Sequence, residues 1–168
     1  GNAKGMLLCS LICFGVIRGH HVRHILADVR AVALAGLLQH RQLAAEGLVV
    51  HVVDLGTGSG IVAISLALEC PEARLSAVDL SPGALVVARN NAGRLGATVD
   101  FHEGDWFAPL AGRQFDLIVS NPPYVAEGDP HLALNGLPHE PRLALTDQDP
   151  GGNGLACIRR IVADAATH

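Results

Sequence analysis

Leu48-Val49-Val50-His51-Val52-Val53-Asp54-Leu55-Gly56-Thr57-Gly58-Ser59-Gly60-Ile61 is the stretch that decides the fold. Leu48 to Val53 is a short, β-branched run. It is too short for a helix and reads as a strand buried on both faces. Three glycines then alternate with small polar residues. Glycine lets a backbone turn tightly and approach a ligand with no Cβ in the way. A helix opening at Ile61 leaves free N–H groups beyond the loop. The spacing is not G-x-x-x-x-G-K-[ST], so a P-loop is excluded, and it is close to, but not, the G-x-G-x-x-G of dinucleotide enzymes. Taken alone, such a loop serves many nucleotides.

Outward from that loop, strands and helices alternate. Ile25 to Glu46 has apolar residues at Ile25, Val29, Val32, Ala33, Leu37 and Leu38, close to helical spacing, and Gly47 is a helix stop. Ile61 to Glu69 is helical, and Pro71 ends it. Arg74 to Val78 is a second strand. Ser81 is an N-cap with Pro82 at the first helical position, starting a helix that runs to Leu95. Thr98 to His102 and Phe115 to Val119 are the third and fourth strands. Asn121 to Pro150 is irregular and holds six of the nine prolines. A last helix runs from Leu155 to Ala166. This order predicts an α/β fold with a parallel, Rossmann-like sheet and helices on both faces. In such sheets the ligand sits outside the carboxyl ends of the strands, and every motif falls at one of those ends.

Asp79 closes the second strand, some ~20 residues after the glycine loop, where a carboxylate accepts hydrogen bonds from ribose hydroxyls. An Asp at a strand end is otherwise a common helix cap; its distance from the loop favours the ribose. Gly104-Asp105-Trp106-Phe107 follows the third strand. There an acidic side chain and an aromatic ring suit an adenine amino group and its ring face. Asn121-Pro122-Pro123-Tyr124 follows the fourth strand and is the most specific signal. Two prolines fix an extended backbone. The Asn121 side chain and the Pro122 carbonyl are then two preset acceptors for a planar –NH2 group, and Tyr124 can pack on its flat face. An amide or aromatic amine is a poor nucleophile, so positioning is the main catalytic lever, worth up to about 7–11 kcal/mol.

The 168 residues suffice for one domain, with 49% apolar and 17% charged residues, which excludes a disordered chain. The net charge of −4 argues against wrapping nucleic-acid phosphates. Cys9, Cys13, Cys70 and Cys157 form no CxxC pair and match neither a disulfide framework nor a zinc site. Reduced, mostly buried thiols point to the cytoplasm. His20, His21 and His24 lie close together with no other ligand at metal spacing, so no metal is expected. Met6 to Ile17 is apolar but too short to span a bilayer, which needs ~20 residues. It faintly resembles a signal peptide, lacks a small-residue cleavage site, and is expected to be a buried element.

Together these motifs make the chain similar to class I S-adenosylmethionine-dependent methyltransferases. More narrowly, it resembles the bacterial peptide-chain-release-factor glutamine methyltransferases. Val119 to Leu132, with Glu140-Pro141 and Ala144-Leu145 behind it, is especially close to that family. The resemblance implies that Asp54, Gly56, Thr57, Gly58, Ser59 and Gly60 form the site for the methionine part of S-adenosyl-L-methionine. Asp79 would hold the ribose, Asp105 and Trp106 the adenine side, and Asn121 would border the cofactor. Asn121, Pro122, Pro123 and Tyr124 would hold the substrate amide, with Asn121, Pro122 and Tyr124 as the catalytic set. The implied partners are release factors one and two, through their Gly-Gly-Gln loop.

The chain departs from that pattern in three places. Gly19 to His24 does not match the family's Arg-Pro-Glu-Thr-Glu-like segment. Residues 1–24 are too few for the family's N-terminal recognition domain, so they are set apart as an irregular segment from a partial methyltransferase domain over 25–168. A full fold of this class has three further strands, and without them the strand Phe115–Val119 is expected to keep an unpaired, apolar edge. Three other readings stay open: a ribosomal-protein glutamine methyltransferase, an adenine amino methyltransferase acting on nucleic acid, and a non-catalytic fragment.

Overall fold

The computed structural model describes Cys9–Ile12, residues 49–133 and residues 141–168. The helix expected over Ile25–Glu46, the segment Gly19–His24 and Glu140 lie outside the described residues. The described residues form two compact units. One takes those up to Asn121 together with Ala166–His168, and the other is Pro122–Ala165.

The first unit is built on a five-stranded parallel sheet. Its strands are β1 (Cys9–Ile12), β2 (His51–Leu55), β3 (Arg74–Asp79), β4 (Asp100–Glu103) and β5 (Leu117–Ser120), in the order β1-β5-β2-β3-β4. Helix α1 (Ile61–Glu69) joins β2 to β3, and α2 (Pro82–Leu95) joins β3 to β4. Both helices have the bounds the sequence predicts. Ser81 Oγ accepts from the Ala84 N–H at 3.3 Å and Pro82 takes the first turn, which fixes where α2 begins.

The expected strands are right in existence and order but shifted toward the C-terminus. Leu48–Val53 becomes His51–Leu55, and Phe115–Val119 becomes Leu117–Ser120. The reason is tertiary. Asp54 is buried and still extended, so β2 continues until Gly56 turns the backbone to φ +73°. At the other end the Asp116 N–H donates to the His51 carbonyl at 2.9 Å, but the His51 N–H goes to the Asp116 carboxylate at 2.8 Å, so regular strand pairing begins at Leu117.

The expected unpaired edge is corrected. β1 lies parallel against β5, with Cys9 opposite Leu117 and Ile12 opposite Ser120. Four residues of the apolar Met6–Ile17 run therefore hydrogen-bond to that edge of β5.

Period-two alternation sets one core face. Val52, Leu75, Leu117 and Val119 form a buried cluster with Val62, Leu66 and Cys70 of the α1 region. Leu66 is fully buried, so its truncation to Ala costs about 2–5 kcal/mol. The same alternation puts Asp54 on the Val52 face, under the start of α1.

The second unit holds the irregular stretch the prolines predict. Within it lie a 3₁₀ turn (Pro130–Ala133), the short helix α3 (Arg142–Leu145) and α4 (Ala156–Ala165). Val125 bridges Thr146 in parallel, and Arg142 pairs with Glu127 at 3.0 Å. The Asp147 carboxylate accepts from the Ala156 N–H at 3.0 Å, capping α4.

Candidate active site

The glycine loop is held from below by Asp54. One carboxylate oxygen of Asp54 accepts from Thr57 Oγ1 at 2.7 Å and from the Ala63 N–H at 3.3 Å. The second bond is to a first-turn amide of α1, where a carboxylate also meets the positive end of the helix. Burial pushes the Asp54 carboxyl up to about 6; the two donors pull it down by less, and neighbouring Asp79 pushes it further up.

Asp79 holds the loop from the side. Its two oxygens accept from the Gly58 N–H at 2.7 Å and the Ser81 N–H at 2.9 Å. Gly56 and Thr57 N–H both donate to the Val78 carbonyl, at 2.8 and 3.0 Å. The loop is thus pinned to the end of β3. Each Asp79 oxygen has a further lone pair for a ligand hydroxyl.

Gly56, Gly58 and Gly60 all lie in the left-handed region, at φ +73°, +57° and +81°. A Cβ on Gly56 would meet Trp106 Cζ3 at 3.4 Å, whereas one on Gly58 would meet nothing within 4 Å. The loop therefore has an open side at Gly58 and an aromatic wall at Gly56. Trp106 itself has φ +49°, a left-handed conformation that costs a bulky residue energy and concentrates at functional sites.

Beside the loop, β5 runs alongside β2, and the Ser120 hydroxyl donates to the Leu55 carbonyl at 2.7 Å. Asn121 follows directly. Its Oδ1 is, among the described residues, the one buried side-chain oxygen or nitrogen without a hydrogen-bond partner. A buried acceptor without a donor is costly.

The first unit thus brings together Asp54, Gly56, Thr57, Gly58, Gly60, Asp79 and Trp106 through the contacts above, with Asn121 one residue beyond Ser120. Ser59 lends its carbonyl to Asn91 Nδ2 at 3.0 Å, which ties the loop to α2. Asp105 accepts at its carbonyl from the Ala108 N–H at 3.0 Å, opening the turn that follows Trp106.

Pro122, Pro123 and Tyr124 belong to the second unit. Pro122 is buried and Tyr124 half-buried. Burial raises the Tyr124 hydroxyl pKa, which keeps it neutral at physiological pH. Gly154, at φ +77°, lies against the Tyr124 carbonyl, and a Cβ there would stand 3.0 Å from the Ala126 nitrogen. This close approach shapes the backbone behind the two prolines.

Sequence reasoning missed the part played by Ser120. Its signal was a lone hydroxyl ending the buried apolar run Leu117-Ile118-Val119.

Among the described residues, no group of three or more His, Cys, Asp or Glu could hold a metal ion. No described helix is long and apolar enough to cross a membrane. Cys70 and Cys157 are not in disulfides.

A parallel sheet with a glycine loop after β2, an acidic residue ending β3 and Asn-Pro-Pro-Tyr after β5 defines a Rossmann-like class I methyltransferase fold. Residues 29–137 match the family model described as "Methyltransferase small domain", and the chain belongs to that family. A release factor glutamine methyltransferase of Bordetella pertussis is 54% identical over 116 residues, covering 68% of this chain and 42% of the relative. One of Burkholderia pseudomallei is 52% identical over 121 residues, covering 68% and 41%. The chain thus spans about two fifths of the length of the curated relatives it matches. Among solved structures, an S-adenosylmethionine-dependent methyltransferase from Clostridium acetobutylicum is 31% identical, with a TM-score of 0.37, covering 42% of this chain and 28% of that one.

Proposed function

We propose that this chain carries the methyl-transferring part of an enzyme that moves a methyl group from S-adenosyl-L-methionine to the side-chain amide nitrogen of a glutamine in peptide chain release factors. The observation that carries this reading is Asn121 Oδ1, a buried acceptor awaiting a donor one residue beyond the Ser120–Leu55 tie. The names of the relatives at 54% and 52% identity support the choice of acceptor. A cytoplasmic setting goes with it.

The residues present fit the cofactor. Gly58 leaves open space where a side chain would intrude, and Asp79 has spare acceptor capacity beside it. When bound, S-adenosyl-L-methionine supplies an electrophilic methyl group on a sulfonium. Gly56 to Gly60 would hold its methionine part, Asp79 its ribose, and Asp105 and Trp106 the adenine side.

The rest of the chemistry falls to this chain's own groups. Asn121 Oδ1 accepts one N–H of the glutamine amide, and the Pro122 carbonyl accepts the other. Two acceptors fix the plane of the –NH2 group and turn its lone pair outward. Tyr124, neutral and half-buried, packs on the flat amide. This is catalysis by orientation, in which near-attack geometry replaces the nucleophilicity that amide resonance removes.

A radiolabelled methyl assay offering release factor, ribosomal protein and DNA side by side tests the reading. Label on the release factor glutamine is the expected result. Label on DNA alone would overturn it in favour of an adenine amino group, and label on ribosomal protein alone would move the substrate.

A further inference from the structure

β2 and β5 end side by side, Leu55 opposite Ser120. One residue further, each strand becomes functional: β2 enters the glycine loop at Gly56, and β5 reaches Asn121. The ladder cannot continue far along β5, because Pro122 has no N–H to donate. At this last position the Ser120 side chain provides the tie. Its hydroxyl donates to the Leu55 carbonyl at 2.7 Å, and Ser120 is 1% exposed. A buried strand of Leu117, Ile118 and Val119 has no packing reason to end in a hydroxyl. Ala would fit the same space but leave the Leu55 carbonyl without this donor.

We propose that Ser120 is a positioning residue for methyl transfer: its hydroxyl fixes the separation between the glycine loop and the Asn121 acceptor. This rests on the proposed transfer to a planar –NH2 group held by Asn121, but not on which molecule carries that group. The argument is one of distance. The loop and the acceptor are each one residue from the two ends of a single short hydrogen bond. A displacement of about 1 Å between reacting groups can cost about 10²-fold in rate. Loss of the bond lets the two strand ends move apart without removing any group that touches cofactor or substrate.

The test compares the wild-type chain with Ser120→Ala and Ser120→Thr. In Ser120→Ala, kcat is expected to fall at least ~10-fold, with cofactor Kd and acceptor KM within about twofold of wild type. Ser120→Thr keeps the donor and is expected to recover most of the loss. A purely structural role would lower the thermal midpoint without that kcat-against-KM split or that rescue.

A second readout needs no turnover. Amide hydrogen exchange at Gly56 and Thr57 is expected to quicken at least ~10-fold in Ser120→Ala, while the amides pairing β3 with β4 keep their rates. Unchanged kcat in Ser120→Ala, or unchanged exchange at Gly56 and Thr57, would overturn the proposal. If the wild-type chain labels DNA and not release factor, the glutamine reading fails, and the Ser120 comparison is made on that acceptor. If it labels neither, the glutamine reading fails and the exchange measurement alone decides the role of Ser120.

Discussion

The six-membered ring of Trp106 lies across the backbone of Gly56, so close that a Cβ there would stand 3.4 Å from Cζ3 and 3.8 Å from Cη2. The contact couples the loop after β4 to the loop after β2. It also makes the single tryptophan of the chain a reporter on the glycine loop. Titration with S-adenosylhomocysteine is expected to change its emission saturably. Gly56→Ala, which forces a side chain into a backbone at φ +73° beneath that ring, is expected to weaken binding at least ~10-fold. Calorimetric binding with no change in emission would separate Trp106 from the cofactor site.

Gly58 and Gly60 differ in what surrounds them, and their alanine variants should differ accordingly. Both have positive φ, so each substitution carries about 1–2 kcal/mol of backbone cost. A Cβ on Gly58 meets nothing within 4 Å, but one on Gly60 meets Ile64 Cδ1 at 2.9 Å and Ala88 Cβ at 3.0 Å. Ala88 lies on α2, so Gly60 is where the start of α1 meets the next helix. Gly60→Ala should lose about 1–3 kcal/mol more than Gly58→Ala from overpacking. Urea denaturation of the two variants measures the difference, and equal losses would mean that Ile64 and Ala88 yield without cost.

Much of this was legible in the sequence, because local chemistry sets it. Ser81-Pro82 announces the start of α2, and Gly56-Thr57-Gly58-Ser59-Gly60 announces the turn. The strand ends were less legible. Asp54 looks like a loop residue by type, but tertiary burial and two donors keep it in β2. β1 on the β5 edge was not legible at all, since its pairing with Leu117–Ser120 spans more than a hundred residues of sequence and no local pattern encodes it. The Ser120–Leu55 bond is of the same kind. Its serine was visible, but its acceptor is 65 positions away.

Asp54 should leave a signature in the pH dependence of stability. In the unfolded chain its carboxyl ionises near 4. In the folded protein burial holds it protonated to about 6. A carboxyl whose folded pKa is raised contributes stability that is complete below the unfolded pKa and is lost as pH rises through the folded one. The window is thus pH 4 to 6, with stability falling as pH rises. Asp100 acts in the opposite direction. Its partial burial raises its pKa, but Arg113 at 3.2 Å and His102 at 2.9 Å more than offset that and hold it below the ordinary value. Its contribution is therefore lost as pH falls. Comparing wild type with Asp54→Asn removes this background. The midpoint of Asp54→Asn relative to wild type is expected to rise by several degrees between pH 4 and pH 6 and to level off above. A difference that is flat across that window would show that Asp54 does not titrate there.

Asn121 gives the sharpest separation of binding from chemistry. Its Oδ1 accepts from no donor among the described residues, so removing it breaks no hydrogen bond of the fold and relieves a buried acceptor of its desolvation cost. The loop contacts of Asp54 and Asp79 do not involve the Asn121 side chain, so the S-adenosylhomocysteine affinity of Asn121→Ala should stay within about threefold. Transfer should fall by at least ~10²-fold, because a single remaining acceptor lets the amide plane rotate away from the attacking geometry. Asn121→Asp, when its carboxyl is protonated, keeps a carbonyl acceptor of similar shape without adding charge, so at such a pH it should retain more activity than Asn121→Ala. Calorimetry and single-turnover labelling on the same preparations decide this. Turnover unchanged in Asn121→Ala would refute the role of Oδ1 as the amide acceptor.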